Sequence, residues 1–196
     1  MEQIRSFIAI ELPENVKVHL AQLENNLKKD CKYNIKWVNP DNLHLTLKFL
    51  GNIETNKVEL IVQTIRDTLV GDRPFILNLD NLGVFPDLKN IQVIWIGLGG
   101  ELDTLKIIQS KIKSNLVPLG FIIEKRPFTA HLTLARVAEN ASYEDRQILA
   151  RSISKIELEK NISFNVNSIS LMKSQLARTG PTYTRLSLIE IKSPCQ

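Results

Sequence analysis

Hydrophobic and polar positions along the chain fall into alternating strand-like and helix-like runs. The segment IRSFIAIEL (4–12) reads as a strand. Pro13 then opens a helix over 13–30, at a first-turn position that tolerates proline, with Lys28 and Lys29 near its negative end. The turn cluster NPDNL (39–43) leads into the strand HLTLKFLG (44–51), which Gly51 stops. Val58, Ile61, Val62, Ile65 and Leu69 recur at helical spacing and predict a helix over 56–70. Strands are expected at 75–85 and 91–98, joined by a PDLKN turn.

The second half repeats the theme. A helix is predicted over 101–117, between Gly100 in front and Pro118 and Gly120 behind. RPFTAHLTLARV (126–137) supplies a loop and a strand, and SYEDRQILARSI (142–153) a short helix capped by Ser142. FNVNSISLMKSQL (164–176) and YTRLSLIEI (183–191) read as two closing strands joined by ARTGPT. No Ser- or Gly-rich linker separates the halves. Residues 1–196 are expected to form a single compact domain of two similar lobes, with the repeated motif strands at 44–51 and 131–137.

The repeat is the main clue to function. Only three histidines occur, and two of them, His44 and His131, open the same tetrapeptide, His-Leu-Thr-Leu. Each copy follows a proline-containing loop (Pro40, Pro127), with helices before and after its strand. Matching surroundings on this scale disfavour a chance recurrence of a Leu/Thr-rich strand. Side chains alternate across a strand. His44, Thr46 and Lys48 therefore share one face, against Leu45, Leu47 and Phe49. His131, Thr133 and Ala135 likewise oppose Leu132 and Leu134. Each copy buries its leucines and presents an imidazole beside a hydroxyl on the polar face.

Composition changes this picture little. The 196 residues are 43% hydrophobic, 6% aromatic and 23% charged, an ordinary profile for a globular protein. No apolar run approaches the roughly 20 residues of a membrane span, and the N-terminus lacks the pattern of a secretory signal. Cys31 and Cys195 lie far apart with no Cys-x-x-Cys, which fits a reducing cytoplasm. A net charge of +4 suits an anionic partner such as RNA.

If an approximate two-fold axis relates the lobes, the two polar faces meet in one groove. An imidazole has an unperturbed pKa of about 6.5, so one neutral and one protonated ring coexist near neutrality. One takes a proton from an attacking oxygen and the other gives one to a leaving oxygen, each role contributing about 10²–10⁴-fold. Threonine hydroxyls suit non-bridging phosphate oxygens. Rival chemistries are weaker. A zinc site needs three or more ligands of suitable geometry, and neither Asp41 nor Glu124 stands at a spacing that asks for one. No Gly-x-Ser-x-Gly elbow occurs. GLGG (97–100) lacks the rest of a phosphate loop.

HLTLKFLG and HLTLAR, each a His-x-Thr-x motif, resemble the two signatures of the two-histidine phosphoesterase superfamily. Within it, the chain is similar to the RNA 2′,3′-cyclic phosphodiesterases, also called 2′,5′-RNA ligases. FIAIELP (7–13) and SISLMKSQLARTGPTYTRL (168–186) extend the likeness over nearly the whole chain. The resemblance implies an α+β, bilobal, pseudo-two-fold fold, with duplicated antiparallel sheets lining a central groove and helices outside. It implies hydrolysis of a terminal 2′,3′-cyclic phosphate to a 2′-phosphomonoester. His44 would donate a proton to the departing 3′ oxygen, His131 would activate water, and Thr46 and Thr133 would hold the phosphate. No metal or other cofactor is needed. With a 5′-hydroxyl in place of water, the related ligation forms a 2′–5′ linkage. The implied partners are RNA with cyclic-phosphate ends or small nucleotide cyclic phosphates, with no membrane, and we expect a monomer.

Arg136 matches an arginine of the family's second motif and suits phosphate. Alternation places it on the leucine side, so a bulge or strand end is needed to turn it into the groove. Tyr183 matches the family tyrosine; it either contacts nucleotide or is an ordinary half-buried strand tyrosine. Lys48 is expected to be solvated, His19 to be structural or solvent-facing, and Arg126 to contact RNA or water; Trp37 and Trp95 are candidates for base stacking, with the apolar run around Trp95 favouring the core. Alternatives to RNA-end hydrolysis are a cyclic phosphodiesterase for a small nucleotide or a 2′,5′-linked oligonucleotide, and a non-catalytic RNA-binding protein.

Overall fold

The computed structural model describes residues 2–30, 35–124, 126–156, 158–159, 162–177 and 180–192. Cys31 and Cys195 lie outside the described residues. The strands are β1 (Gln3–Glu11), β2 (Ile35–Trp37), β3 (His44–Glu54), β4 (Phe75–Phe85), β5 (Val93–Gly100), β6 (His131–Val137), β7 (Ser163–Val166), β8 (Ser168–Ala177) and β9 (Gly180–Glu190). The α-helices are α1 (Glu14–Asp30), α2 (Val58–Thr68), α3 (Leu102–Asn115) and α4 (Tyr143–Lys155). None of these helices is long and apolar enough to cross a membrane.

The strands form two antiparallel sheets, one in the order β3-β1-β8-β9 and the other in the order β2-β6-β5-β4-β7. The two motif strands occupy equivalent places, β3 beside β1 and β6 beside β5. The helices follow the same symmetry. α1 and α3 precede the motif strands, α2 and α4 follow them, and the packed pairs are α1 with α4 and α2 with α3. This is the expected α+β, bilobal, pseudo-two-fold architecture.

Apolar spacing decides how the helices sit. Val16, Leu20, Leu23 and Leu27 form one stripe of α1 and are all buried. Ile61, Val62 and Ile65 do the same for α2, and Leu105, Ile108 and Ile112 for α3. These side chains join Leu45 and Leu47 of β3 and Leu132 and Leu134 of β6 in one continuous apolar core that draws on both halves. Fully burying one such leucine is worth about 1.5–3 kcal/mol. The helix at 142–153 starts as expected: the Ser142 hydroxyl accepts from the Asp145 backbone N–H, and the Asp145 carboxylate accepts from the Ser142 N–H.

One expected strand divides. The run 164–176 is two strands, β7 in one sheet and β8 in the other. The burial phase shows why. Phe164 and Val166 face the main core, and so do Ile169 and Leu171, while Met172 joins the separate Phe7 cluster, so the positions facing the main core switch from even to odd numbers around Asn167. A single strand would expose one of these pairs. The chain instead crosses between sheets at Asn167, whose carbonyl accepts from the Ile191 N–H. The closing hairpin is also tighter than the six-residue ARTGPT loop, because Ala177 already pairs with Gly180. Arg178 and Thr179 lie outside the described residues.

Candidate active site

Each motif histidine is the first residue of its strand. Asn39 caps the short 3₁₀ turn Pro40–Asn42, its side chain accepting from the Asp41 N–H at 3.0 Å. That turn delivers the Asn42 carbonyl to the ring of His44, whose Nδ1 donates to it at 2.7 Å. The loop before β6 does the same for His131, whose Nδ1 donates to the Thr129 carbonyl at 2.8 Å. A carbonyl oxygen only accepts, so each Nδ1 carries hydrogen. Each Nε2 is then the basic atom of a neutral ring or the acidic atom of a protonated one. Both rings are therefore held in the same tautomer by a carbonyl two residues back.

Both motif strands carry an extra residue at the same point. In β3, Thr46 pairs with Ala9 and Lys48 with Ile8, so Leu47 is the additional residue. In β6, Thr133 pairs with Trp95 and Ala135 with Ile94, so Leu134 is additional. Alternation changes phase there. Lys48, expected among the polar residues, is only 3% exposed, and its Nζ donates to the Ile122 carbonyl at 2.9 Å and to Glu124 Oε1 at 3.4 Å. Phe49, expected in the core, is 64% exposed. Arg136 is exposed on the histidine side, while Leu134 and Ala135 are both buried. The bulge that Arg136 needs in order to leave the leucine side is present.

The two polar faces border one groove. β3 and β6 approach each other, and Tyr183 of the first sheet lies within electrostatic reach of Arg136 of the second. Thr46 and Thr133 are half-buried, two residues beyond their histidines on the same face. On the first sheet, Phe7, Ala9 and Met172 form a small apolar cluster separate from the main core, with Tyr183 against it. His44 stacks on Phe7 at 4.7 Å between ring centres and meets Tyr183 edge-on at 5.1 Å. Burial lowers the His44 pKa, with the hydrogen bond to Asn42 and the charge of Glu11 opposing that shift. Burial likewise raises the Tyr183 pKa, opposed by the charges of Arg136 and Arg5.

Around His131 the aromatic partners come from the second sheet. Phe85 meets the ring edge-on at 5.5 Å and Trp95 lies 6.2 Å away. Trp95 is thus a half-buried wall of the site, not a core residue. It occupies the odd phase of β5, opposite to buried Ile94 and Ile96. Its indole stacks on Phe85 at 4.9 Å and crosses Gly83 so closely that a Cβ there would stand 2.3 Å from the ring.

At one end of the groove Glu11 pairs with His44 across β1 and β3. Its carboxylate accepts from Arg185 Nε at 2.7 Å and Nη2 at 2.8 Å, and from the Ser170 hydroxyl. The bonds from Arg185 are the largest influence on the Glu11 carboxyl, which is held below the ordinary range. A cleft of about 140 Å³ opens here, lined by Lys17, Asp41, Asn42, Met172, Tyr183 and Arg185 together with His44. Neither Glu11 nor Arg185 stands out in the motif reading. The available signal was phase: Glu11 shares a face of β1 with Phe7, and Arg185 follows Tyr183 by two. The remaining residues singled out lie elsewhere. Trp37 ends β2 with Lys28 Nζ 5.3 Å from its ring centre, Arg126 is exposed in the loop before β6, and His19 Nδ1 lies 3.4 Å from Glu159.

A bilobal pair of antiparallel sheets, each presenting a His-x-Thr face to a common groove, is the architecture of a phosphoesterase. The family model for LigT-like phosphoesterases matches the chain twice, over residues 10–95 and 98–183, once around each histidine motif. The chain belongs to this family. It is 33% identical over 189 residues to the RNA 2′,3′-cyclic phosphodiesterase of Methanothermobacter thermautotrophicus, covering 96% of this chain and 100% of that protein. It is 34% identical over 180 residues to the protein of the same name from Methanocaldococcus jannaschii, covering 92% and 96%. The crystal structure of E. coli LigT complexed with 3′-AMP superposes with a TM-score of 0.76 at 26% identity, over 97% of this chain and 99% of that one.

Proposed function

We propose that the protein is an RNA 2′,3′-cyclic phosphodiesterase that opens a terminal cyclic phosphate to a 2′-phosphomonoester by proton transfer through His44 and His131. The matched tautomers carry this reading: both rings donate from Nδ1 to a carbonyl two residues back, which leaves both Nε2 atoms available. A protein that only held RNA has no need of two imidazoles prepared alike.

In the reaction, His131 Nε2 takes a proton from water as the oxygen attacks phosphorus. The bond from phosphorus to the 3′ oxygen breaks, and His44 Nε2–H protonates that oxygen. The phosphate stays on the 2′ oxygen. Thr46 and Thr133 hydroxyls donate to the non-bridging oxygens as charge builds there, and Arg136 adds a cation from the second sheet. An RNA 5′-hydroxyl in place of water gives a 2′–5′ phosphodiester by the same transfers. Burial disfavours the protonated form of His44 in the empty groove. An anionic phosphate against the ring reverses that preference, so substrate itself helps to charge the acid. Tyr183, edge-on to His44, keeps the ring in place and walls the nucleotide. The wide separation of Cys31 and Cys195 supports action in a reducing cytoplasm, and we assign the activity to a monomer.

The test is product analysis with an RNA oligonucleotide ending in a 2′,3′-cyclic phosphate, in the presence of a chelator. The expected product is the 2′-phosphate. A 3′-phosphate product, or turnover abolished by the chelator, overturns the scheme.

A further inference from the structure

Strand β2 places a second cation beside Arg136. Ile35 and Trp37 are half-buried against the main core, so alternation turns Lys36 to the opposite face, where it is exposed. On β6, Ala135 and Val137 face the core and Arg136 points away from it. The register sets Lys36 directly opposite Arg136, with half-buried Val93 on the arginine's other flank. Directly opposite residues share a face. Lys36 therefore belongs to the groove side of the second sheet, with Arg136, Thr133 and His131.

Like charges directly opposite one another destabilise a sheet. Among the described residues no ion pair engages Lys36 or Arg136. Beside His44 the cations are matched instead: Glu11 holds Arg185, and Lys17 shares the cleft with Asp41. The fold thus accepts a repulsion between Lys36 and Arg136 that an anion laid against both would relieve. Position identifies that anion. Same-face neighbours on a strand stand about 6.6 Å apart, and adjacent strands about 4.8 Å. The extra Leu134 makes Arg136 the next same-face residue after Thr133. With the reacting phosphate on Thr133, Arg136 reaches it from one step along. Lys36 stands one strand further out, on the edge strand of the sheet. That interval suits the next phosphate of a single strand better than a second contact to the same one.

We propose that Lys36 binds the phosphodiester joining the terminal nucleotide to the one before it, with the Arg136 guanidinium between that phosphate and the terminal one. The RNA strand then leaves the groove over β2. The contact is to charge and not to a base, so it favours an RNA end over a cyclic mononucleotide whatever the sequence. The assignment rests on the phosphodiesterase reading for the place of the terminal phosphate.

The experiment uses a dinucleotide ending in a 2′,3′-cyclic phosphate, with its 5′ residue 2′-O-methylated and its link either a phosphodiester or a neutral methylphosphonate. A cyclic mononucleotide is the control, and the proteins are the parent, Lys36→Gln and Lys36→Arg. Lys36→Gln raises the KM of the phosphodiester dinucleotide about three- to fivefold, the scale of one exposed ion pair, and leaves the mononucleotide KM unchanged. In the parent the neutral link costs a similar factor; in Lys36→Gln it costs little more. Lys36→Arg keeps the parent preference. Lys36→Gln also reduces the log–log salt slope of dinucleotide binding by about 0.7, one phosphate on a single strand. Its unfolding midpoint is no lower than the parent's, since a repulsion has been removed. Equal effects of Lys36→Gln on dinucleotide and mononucleotide, no effect on either, or the same cost of the neutral link with and without Lys36 overturn the contact. Fluorescence anisotropy with the labelled dinucleotide 2′-phosphates, charged and neutral in their link, separates the two claims. Affinity that needs both Lys36 and the charged link, without turnover in the parent, sinks the phosphodiesterase reading and keeps the contact. Turnover with affinity indifferent to Lys36 does the reverse.

Discussion

Phe49 and Arg136 occupy the same place in the two halves. Each stands five positions after its motif histidine, and each is turned onto the histidine's face by an extra residue, Leu47 in β3 and Leu134 in β6. The duplication thus conserves the backbone irregularity while the two side chains differ. One sheet offers the groove a phenyl ring and the other a guanidinium, which suits a ligand with a base at one point and a phosphate at another.

His44→Ala and His131→Ala are each expected to lower kcat by about 10²–10⁴-fold, the usual worth of one positioned acid or base. Both side chains sit at strand starts outside the main core, so circular dichroism and the unfolding midpoint should stay near those of the parent. Hydrolysis of a cyclic-phosphate oligonucleotide provides the rate. Retention of near-parent turnover by either variant contradicts the paired scheme.

The pH profile should follow His44. Its pKa is lowered by burial, against the opposing charge of Glu11. Proton donation needs the charged ring, so kcat/KM falls as pH rises through the pKa of His44 in the free protein, which lies below the ordinary imidazole value. Glu11→Gln removes the charge that supports the imidazolium and frees the Arg185 cation. Both changes lower the His44 pKa further, so the alkaline limb moves to lower pH. An alkaline limb that stays in place or moves upward excludes His44 as the acid.

Lys48→Met removes the buried ammonium that ties β3 to the Ile122 carbonyl and Glu124, in the loop leading to β6. Hydrogen bonds from a charged donor are worth about 1.5–3 kcal/mol. Denaturant unfolding should show a loss of that order. An equally stable variant indicates that the ion's desolvation cancels its bonds.

Gly83→Ala drives a methyl into the Trp95 indole, where the Cβ would lie 2.3 Å from the ring. Relief requires the indole to move relative to Phe85 and His131. A destabilisation of about 1–3 kcal/mol is expected from such overpacking, with a changed tryptophan emission and a lower kcat. Unaltered emission and rate show that Trp95 does not support His131.

Much of the site was legible one residue at a time. Two copies of His-Leu-Thr-Leu, each after a proline loop, put imidazole and hydroxyl on one face by alternation alone, and that local geometry holds for His44 with Thr46 and His131 with Thr133. Alternation failed just beyond. Lys48 and Phe49 exchange the environments that alternation gives them, and Arg136 reaches the histidine side only through the bulge that it needs. A strand's phase is kept only while both partners advance together, and nothing in HLTLKF or HLTLAR announces that Leu47 and Leu134 have no opposite number.

The division at Asn167 has a similar origin. Seen as one strand, FNVNSISLMKSQL is continuous in propensity, and only the presence of two sheets, each needing its own buried phase, separates β7 from β8. The sequence by itself determined the helices, most of the strands, the duplication and the two histidines, because these depend on residues close together in the chain. Tertiary structure decided which side chains share the groove with them: Glu11 held by Arg185, Phe49 opposite Phe7, Trp95 across Gly83. Those neighbours come from strands far apart in sequence, and their contacts exist only once pairing register has been chosen by the burial of two opposed sheets.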